Sequence, residues 1–418
     1  MIKATILNEI EAKIKSCGLF YVCRDLERAI GLNLTLSNYY IITNQSDYSK
    51  SMAKRHKNII LVKEDEQLDT LELLENHLTQ SLIKKGSLIL VFKNTKQIEE
   101  ICAKSGWVLL NPKAELANIV EEKISQVKWL GELAKYLPSH KIDICKNIVW
   151  QGKNFILQFN RSHTGLGTYF IESKEQLEEI KNKFPEREAR ITDFIEGPFF
   201  TNNNTIWGDK ILLGNISYQI TGLSPFTDRP FATIGNDWAL PQQILSQKQL
   251  EQYQKIATDI GQKLQQDGWK GLFGIDTVLN KKTGQIFLIE INARQPASTT
   301  YESQLQIQAR EKSGQNNLVT TFEAHLASLL SIKNDNYQLV EIKDGAQIIQ
   351  RVLNDKKTVI DLTGLKNLGL NIIFYNNIKP GADLVRLQSS NGIMKDHNEF
   401  NSLGEEIKSY INKKPSIQ

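Results

Sequence analysis

The chain has 418 residues, 40% of them hydrophobic and 23% charged, with a formal net charge of +4. That length predicts about two to three domains, and the composition excludes disordered, collagen-like and disulfide-stapled classes. The positive charge is spread thinly with no long Lys/Arg block, and no apolar run approaches the length needed to span a bilayer, so neither nucleic acid nor membrane is an expected partner.

Cys17, Cys23, Cys102 and Cys145 show no metal-like or CxxC pairing, which predicts reduced thiols and a cytoplasmic setting. The first residues interrupt their apolar positions with Glu9, Glu11 and Lys13, the pattern of an amphipathic helix and not of a signal peptide. From 18 to 110, the runs GLFYVC, YYIIT, NIILV, SLILVF and WVLL read as strands apolar on both faces. Between two of them Leu68, Leu71, Leu74, Leu78 and Leu82 recur at helical spacing. Such alternation predicts a buried parallel sheet, a Rossmann-like unit over 1–112; it lacks GxGxxG, so it is not read as a dinucleotide site.

A helical segment is expected over 113–136, stopped by Leu137-Pro138. A strand over 155–159, a Ser/Thr/Gly loop over 160–168, a short strand and a helix capped by Ser173 follow. Strands are expected over 189–195 and 210–220, then a Pro/Gly/Asp-rich loop over 224–238 and a helix of about twenty residues from Ser246. A hairpin over 272–292, a helix ending near Leu330, and a β-rich then helical tail complete the chain.

The hairpin is the most informative stretch. With a five-residue loop over 281–285, Asp276 on the first strand stands opposite Glu290 on the second, among Ile275, Val278, Ile289 and Ile291. Facing like charges destabilise a sheet, and an unpaired buried ion costs several kcal/mol, so this pair implies cations between the acids. Glu290 and Asn292 are two apart on a strand and share a face. A set of oxygens alone suits Mg²⁺, and Arg294 can grip a phosphate bidentately. The competing reading turns both acids to solvent beside Arg294 and Lys281.

Asp276 followed by Glu290-x-Asn292-x-Arg294 resembles the ATP-grasp superfamily, in its branch of biotin carboxylase and related carboxylate–amine ligases. The resemblance covers about 121–330, and GAQIIQRV at 345–352 is similar to the C-terminal barrel of that family. It implies an α/β fold with a Rossmann-like domain (1–112), an ATP-grasp domain (113–332, mobile lid lobe about 148–222) and a small β-rich and helical domain (333–418). It further implies ATP with two Mg²⁺, or Mn²⁺ in their place. Asp276, Glu290 and Asn292 would be the metal ligands, Lys123 a phosphate contact and Arg294 the binder of the reacting phosphate. The glycine-rich lid would hold phosphates through Thr164, Gly165, Gly167 and Thr168, although the same loop also reads as a plain turn. The run Thr192-Asp193-Phe194-Ile195 resembles the hinge that seats adenine. Ser298, Arg229 and Asn236 are assigned to substrate from loop position, and a homodimer through the first or last domain follows from family analogy.

The sequence also departs from the family. Gln158 stands where a second ATP lysine is expected, with Arg161 offered as compensation. Thr192 replaces the hinge acid, and Asn202, Asn203 and Asn204 stand where many members hold ribose with an acid. No biotinyl-lysine signature is present. The resulting expectation is an ADP-forming ligase that couples a small-molecule carboxylate to an amine. A nucleotide-binding relative without catalysis, and a bicarbonate-activating carboxylase component, remain as alternatives.

Overall fold

The structure is a computed structural model and describes residues 5–160, 167–315, 317–353, 358–375 and 377–411. The five apolar runs form one parallel sheet from Leu19–Val22, Tyr39–Asn44, Ile59–Val62, Leu88–Val91 and Val108–Leu109, in the order third, second, first, fourth, fifth. Every residue of the first strand is buried, as a strand covered on both faces requires. The leucine-spaced segment forms two helices instead of one, Thr70–Glu75 and His77–Leu82. Asn76 leaves helical geometry between them, and its side chain accepts from the Leu78 N–H at 3.0 Å, an N-cap that outweighs the continuous apolar spacing.

The expected single helix over 113–136 is likewise interrupted. Ala114–Glu121 ends at the extended Glu122, and Ser125–Leu130 then starts afresh, continued by a 3₁₀ turn over Gly131–Tyr136. Asn160 holds the break open, its Oδ1 accepting from the N–H groups of Ile124 (2.9 Å) and Ser125 (3.3 Å). Lys123 lies in this break.

The region expected to be the lid lobe holds a four-stranded antiparallel sheet, ordered His140–Ile144, Glu188–Asp193, Phe155–Phe159, Thr168–Ile171. The helix Lys174–Lys183, capped by Ser173 as expected, covers one face and packs Leu177 and Ile180 on Phe155, Leu157, Phe159, Ala189 and Ile191. This sheet spans the strands from 140 to 193, whereas the expected lobe covers about 148–222. The residues from 199 onward belong to a larger sheet.

That larger sheet is antiparallel and has nine strands. Its continuous path is Ile286–Asn292, Gly271–Leu279, Phe199–Trp207, Ser217–Thr221, Thr233–Asp237, Ala346–Arg351, Asp383–Ser389, Asn371–Phe374, with Lys210–Leu212 paired to Phe199–Trp207. Two expectations change here. The loop expected over 224–238 contains the strand Thr233–Asp237, whose Gly235 lies so close to its neighbour that a Cβ would sit 2.2 Å from the Gln347 carbonyl oxygen. That close pairing carries the sheet into Ala346–Arg351, so the strands after 333 extend the central sheet instead of forming a sheet of their own. The helix Gln247–Gln266 buries Tyr253, Ile256, Ala257, Ile260 and Leu264 in the core that also holds Phe273, Ile275 and Leu288. Thr321–Leu329, preceded by Thr299–Ser313, is buried on all sides between this sheet and Ile6, Ile10 and Ile14 of the first helix.

Candidate active site

The hairpin consists of Gly271–Leu279 and Ile286–Asn292, and Asp276 does pair with Glu290. The route differs from the expected one. Leu279 pairs with Ile286, one step away from the five-residue loop, and a bulge at Ile289 restores the opposition of the two acids. The acids are not turned freely to solvent. The Glu290 carboxylate lies 3.0 Å from Lys123 Nζ, with 36% of its side chain exposed against 12% for the lysine. Asn292 donates to Asp276 Oδ2 at 3.1 Å, while Asp276 Oδ1 is buried with no hydrogen-bond partner.

The electrostatics of the two acids diverge. Burial pulls Glu290 upward, but the charges of Lys123 and Arg294 outweigh it and hold the carboxyl below its usual range. Asp276 is pushed up, first by burial and then by the charge of Glu290. Next to them Arg294 forms an ion pair through Nη1 with Glu121, the last residue of its helix, and the second oxygen of Glu121 lies 2.6 Å from Lys93 Nζ. A carboxylate at a helix C-terminus opposes the helix dipole, and these two cations offset that. Lys93 follows the fourth strand of the parallel sheet, and Arg28, after the first strand, donates to the Ala297 carbonyl at 3.1 Å. The loops at the point where the strand order reverses therefore reach Glu121 and the segment just after the hairpin.

Among the described residues no three His, Cys, Asp or Glu side chains are grouped to share a metal. The set Asp276, Glu290 and Asn292 is two carboxylates and an amide. It fits Mg²⁺ on chemistry: all donors are hard oxygens, and the orphaned Asp276 Oδ1 is a buried acceptor without a donor.

On the lid, Gln158 pairs in register with Thr168 on one side and with Arg190 on the other, so the three side chains form a row on the face opposite the lid helix. Gln158 donates to Thr168 Oγ1 at 3.4 Å and accepts from Arg190. Thr192 is buried on the same face, whereas Asp193 points to the other side, its carboxylate 3.2 Å from Lys153. Phe194 packs its ring on Phe170 at a tilt of 45°, centroids 4.5 Å apart, and Ile195 is half-buried before Gly197, where a Cβ would sit 1.8 Å from the Leu279 carbonyl oxygen. A cavity of about 260 Å³ adjoins the hinge between His140, Lys141, Phe155, Ile191 and Asp193. The strand walls Phe155, Ile191 and Asp193 lie on the face away from Gln158 and Arg190. Gly167 accepts from the Phe159 N–H at 2.9 Å. Arg161, Thr164 and Gly165 lie outside the described residues.

The positions assigned to substrate and ribose fare differently. Asn202, Asn203 and Asn204, which stand where many members hold ribose, are buried inside the strand Phe199–Trp207. Asn202 and Asn204 exchange amide hydrogen bonds at 2.7 and 2.8 Å, and Asn203 binds Glu302 and Ser298. Ser298, only 4% exposed, is consumed in that network. Asn236 lies in the central sheet, donating to Ser217 Oγ and accepting from Gln347, both at 3.1 Å. Arg229 rests against Gly381, whose added Cβ would meet its Nη2 at 2.7 Å.

Three residues that sequence reasoning passed over complete the site: Glu121, Gln126 and Arg190. For Arg190 a signal existed. In EARITD, strand alternation places Arg190 on the side of Thr192 and opposite the apolar Ala189 and Ile191, which marks a cation on the face away from that apolar pair. Glu121 and Gln126 gave no comparable local signal.

Among the described residues no helix is long and apolar enough to cross a membrane. No family model matches the sequence, and no curated protein matches it. Solved structures do match its shape. N5-carboxyaminoimidazole synthetase from Staphylococcus aureus is 11% identical, covering 94% of this chain and 97% of its own, with a TM-score of 0.62. N5-carboxyaminoimidazole synthase from Aspergillus clavatus, in complex with ADP and 5-aminoimidazole ribonucleotide, is 14% identical over 90% of this chain and 94% of its own, at 0.63. L-amino acid ligase from Bacillus licheniformis is 11% identical over 95% and 98%, at 0.62. The chain shares the α/β fold of these solved enzymes, the ATP-grasp fold, over nearly its whole length.

Proposed function

We propose that the protein is an ATP-dependent, ADP-forming ligase that joins a small-molecule carboxylate to an amine. The observation that carries this reading is the meeting of Asp276, Glu290 and Asn292 with Lys123 and Arg294 at one end of the hairpin, from segments as far apart as Lys123 and Arg294. Solved ligases of the same shape support the reaction type.

In this reading a carboxylate oxygen of the substrate attacks the γ-phosphorus of ATP, and ADP leaves with the electrons of the broken P–O bond. The amine nitrogen then attacks the acyl carbon, phosphate departs with the C–O electrons, and the nitrogen loses a proton. Phosphoryl transfer demands in-line positioning and dispersal of charge more than covalent help. Lys123, 3.0 Å from Glu290, places an ammonium where phosphate oxygens approach the hairpin. Arg294, anchored through one nitrogen to Glu121, keeps further N–H donors for the transferred phosphoryl group. Asp276, Glu290 and Asn292 would hold Mg²⁺, which supplies charge neutralisation to the phosphates.

The test is release of ADP and phosphate that requires both an acid and an amine in the mixture, with bicarbonate included as the simplest acid. Glu290→Ala should abolish release while leaving the melting profile of a folded protein. Unchanged turnover in that variant would refute the assignment. Nucleotide binding without turnover against broad acid and amine panels would leave a binding protein instead.

A further inference from the structure

Arg190 is 2% exposed, one of the largest fully buried side chains in the molecule. Its partners are all neutral: Nε and Nη2 donate to Gln158 Oε1 at 3.1 and 2.7 Å, and Nη1 donates to Gln126 Oε1 at 3.1 Å. Among the described residues no carboxylate lies within 4.0 Å of it. Two amide oxygens satisfy hydrogen bonds but leave the charge uncompensated, and a buried ion in that state is expensive. Burial accordingly pushes its pKa down to about 10, and the acid that counteracts this is Glu290, on the hairpin. Gln126 follows Lys123 by three residues, and the Lys123 ammonium lies 3.0 Å from Glu290, so the guanidinium is the lid lobe's buried charge on the side of the hairpin.

The neighbouring strand lacks the charge expected there. Gln158 occupies the lysine-like position, directly opposite Arg190 in register, and its carbonyl oxygen is committed to the guanidinium. A glutamine so oriented holds a cation instead of being one. The clamp is two-sided, because Gln126 comes from the helix Ser125–Leu130, which starts just after Lys123.

We propose that Arg190 is the lid's ligand for the nucleotide polyphosphate, with Gln158 and Gln126 as the residues that position its guanidinium, so that the charge missing from one strand is supplied by the next. This rests on the ligase reading of the cleft. It assigns to Gln158 an orienting role, and to Arg190 the neutralisation of a diphosphate or triphosphate that enters between lid and hairpin. A guanidinium offers planar paired donors to phosphate where an ammonium offers a point charge.

Calorimetric titration with adenosine and with MgADP separates the outcomes. Arg190→Gln should weaken MgADP binding by about ten- to a hundred-fold, the range for loss of a charge-assisted hydrogen bond, and leave adenosine binding unchanged. Gln158→Lys combined with Arg190→Gln, which returns the charge to the adjacent strand, should recover at least about ten-fold of that loss. Should Arg190→Gln fail to fold, Gln158→Glu serves the same end. It gives the guanidinium a permanent counter-ion, so the lid stays intact while MgADP binding falls by a similar factor. Wild-type MgADP affinity in Arg190→Gln or Gln158→Glu would overturn the proposal, as would equal loss of adenosine and MgADP in Arg190→Gln. A wild-type protein that binds neither compound would overturn the ligase reading itself.

Discussion

Glu121 joins three parts of the molecule, and Glu121→Gln tests whether that junction orients Arg294. The side chain of Glu121 is 9% exposed and that of Arg294 25% exposed, while Lys93 is 41% exposed. Breaking a fully buried pair costs about 3–5 kcal/mol and breaking an exposed one about 0–1 kcal/mol. The Glu121–Arg294 pair lies between these limits, which places its loss near 2 kcal/mol; the exposed Lys93 adds less than about 0.5 kcal/mol after solvent screening. Gln keeps the shape and one acceptor, so the change isolates the charge. Urea unfolding of Glu121→Gln, Arg294→Gln and the double variant should give a coupling of about 1.5–2 kcal/mol. Most of it should persist in 1 M salt, because screening acts chiefly on exposed charges. In the ligase assay, kcat should fall about ten-fold or more while KM for ATP moves less, since the arginine remains but is no longer held in place. Additivity of the two single variants within about 0.5 kcal/mol, with normal kcat, would show that the pair neither stabilises nor orients.

Other predictions concern the hinge and a buried acid. Gly197→Ala puts a methyl 1.8 Å from the Leu279 carbonyl oxygen, so the hinge must move off the hairpin; a loss of about 2 kcal/mol or more is expected, and an unchanged melting temperature would refute the close approach. Glu302 is fully buried, accepting from Asn203 and from the Asn215 N–H (3.2 Å) and Nδ2 (3.0 Å); burial pushes its pKa from 4.5 to about 7. The folded protein then holds a proton that the unfolded chain releases, so this contribution to stability is complete below about pH 4.5 and is lost as pH rises to about 7, by about 3 kcal/mol at most. Glu302→Gln should flatten that slope in unfolding measurements from pH 5 to 8; an identical slope would place the pH dependence elsewhere.

Strand alternation and cap residues are short-range rules, and where they govern, the sequence by itself was sufficient. The five apolar runs became the parallel sheet, Ser173 capped its helix, and Asp276 came to face Glu290 although the loop and a bulge reached that register by a different path. Glu290, Asn292 and Arg294 needed only the two-residue repeat of a strand to be recognised as a group. The same rules assign no element to Phe199–Trp207, because three consecutive asparagines carry no apolar alternation, and one of them is satisfied only by Glu302 and Ser298, about a hundred residues later. They also could not join Thr233–Asp237 to Ala346–Arg351, or bring Glu121 to Arg294 and Gln158 to Arg190. Local periodicity says which way a side chain points. Which distant group it meets depends on how strands and lobes pair, and that choice is made by the burial and charge balance of the whole fold.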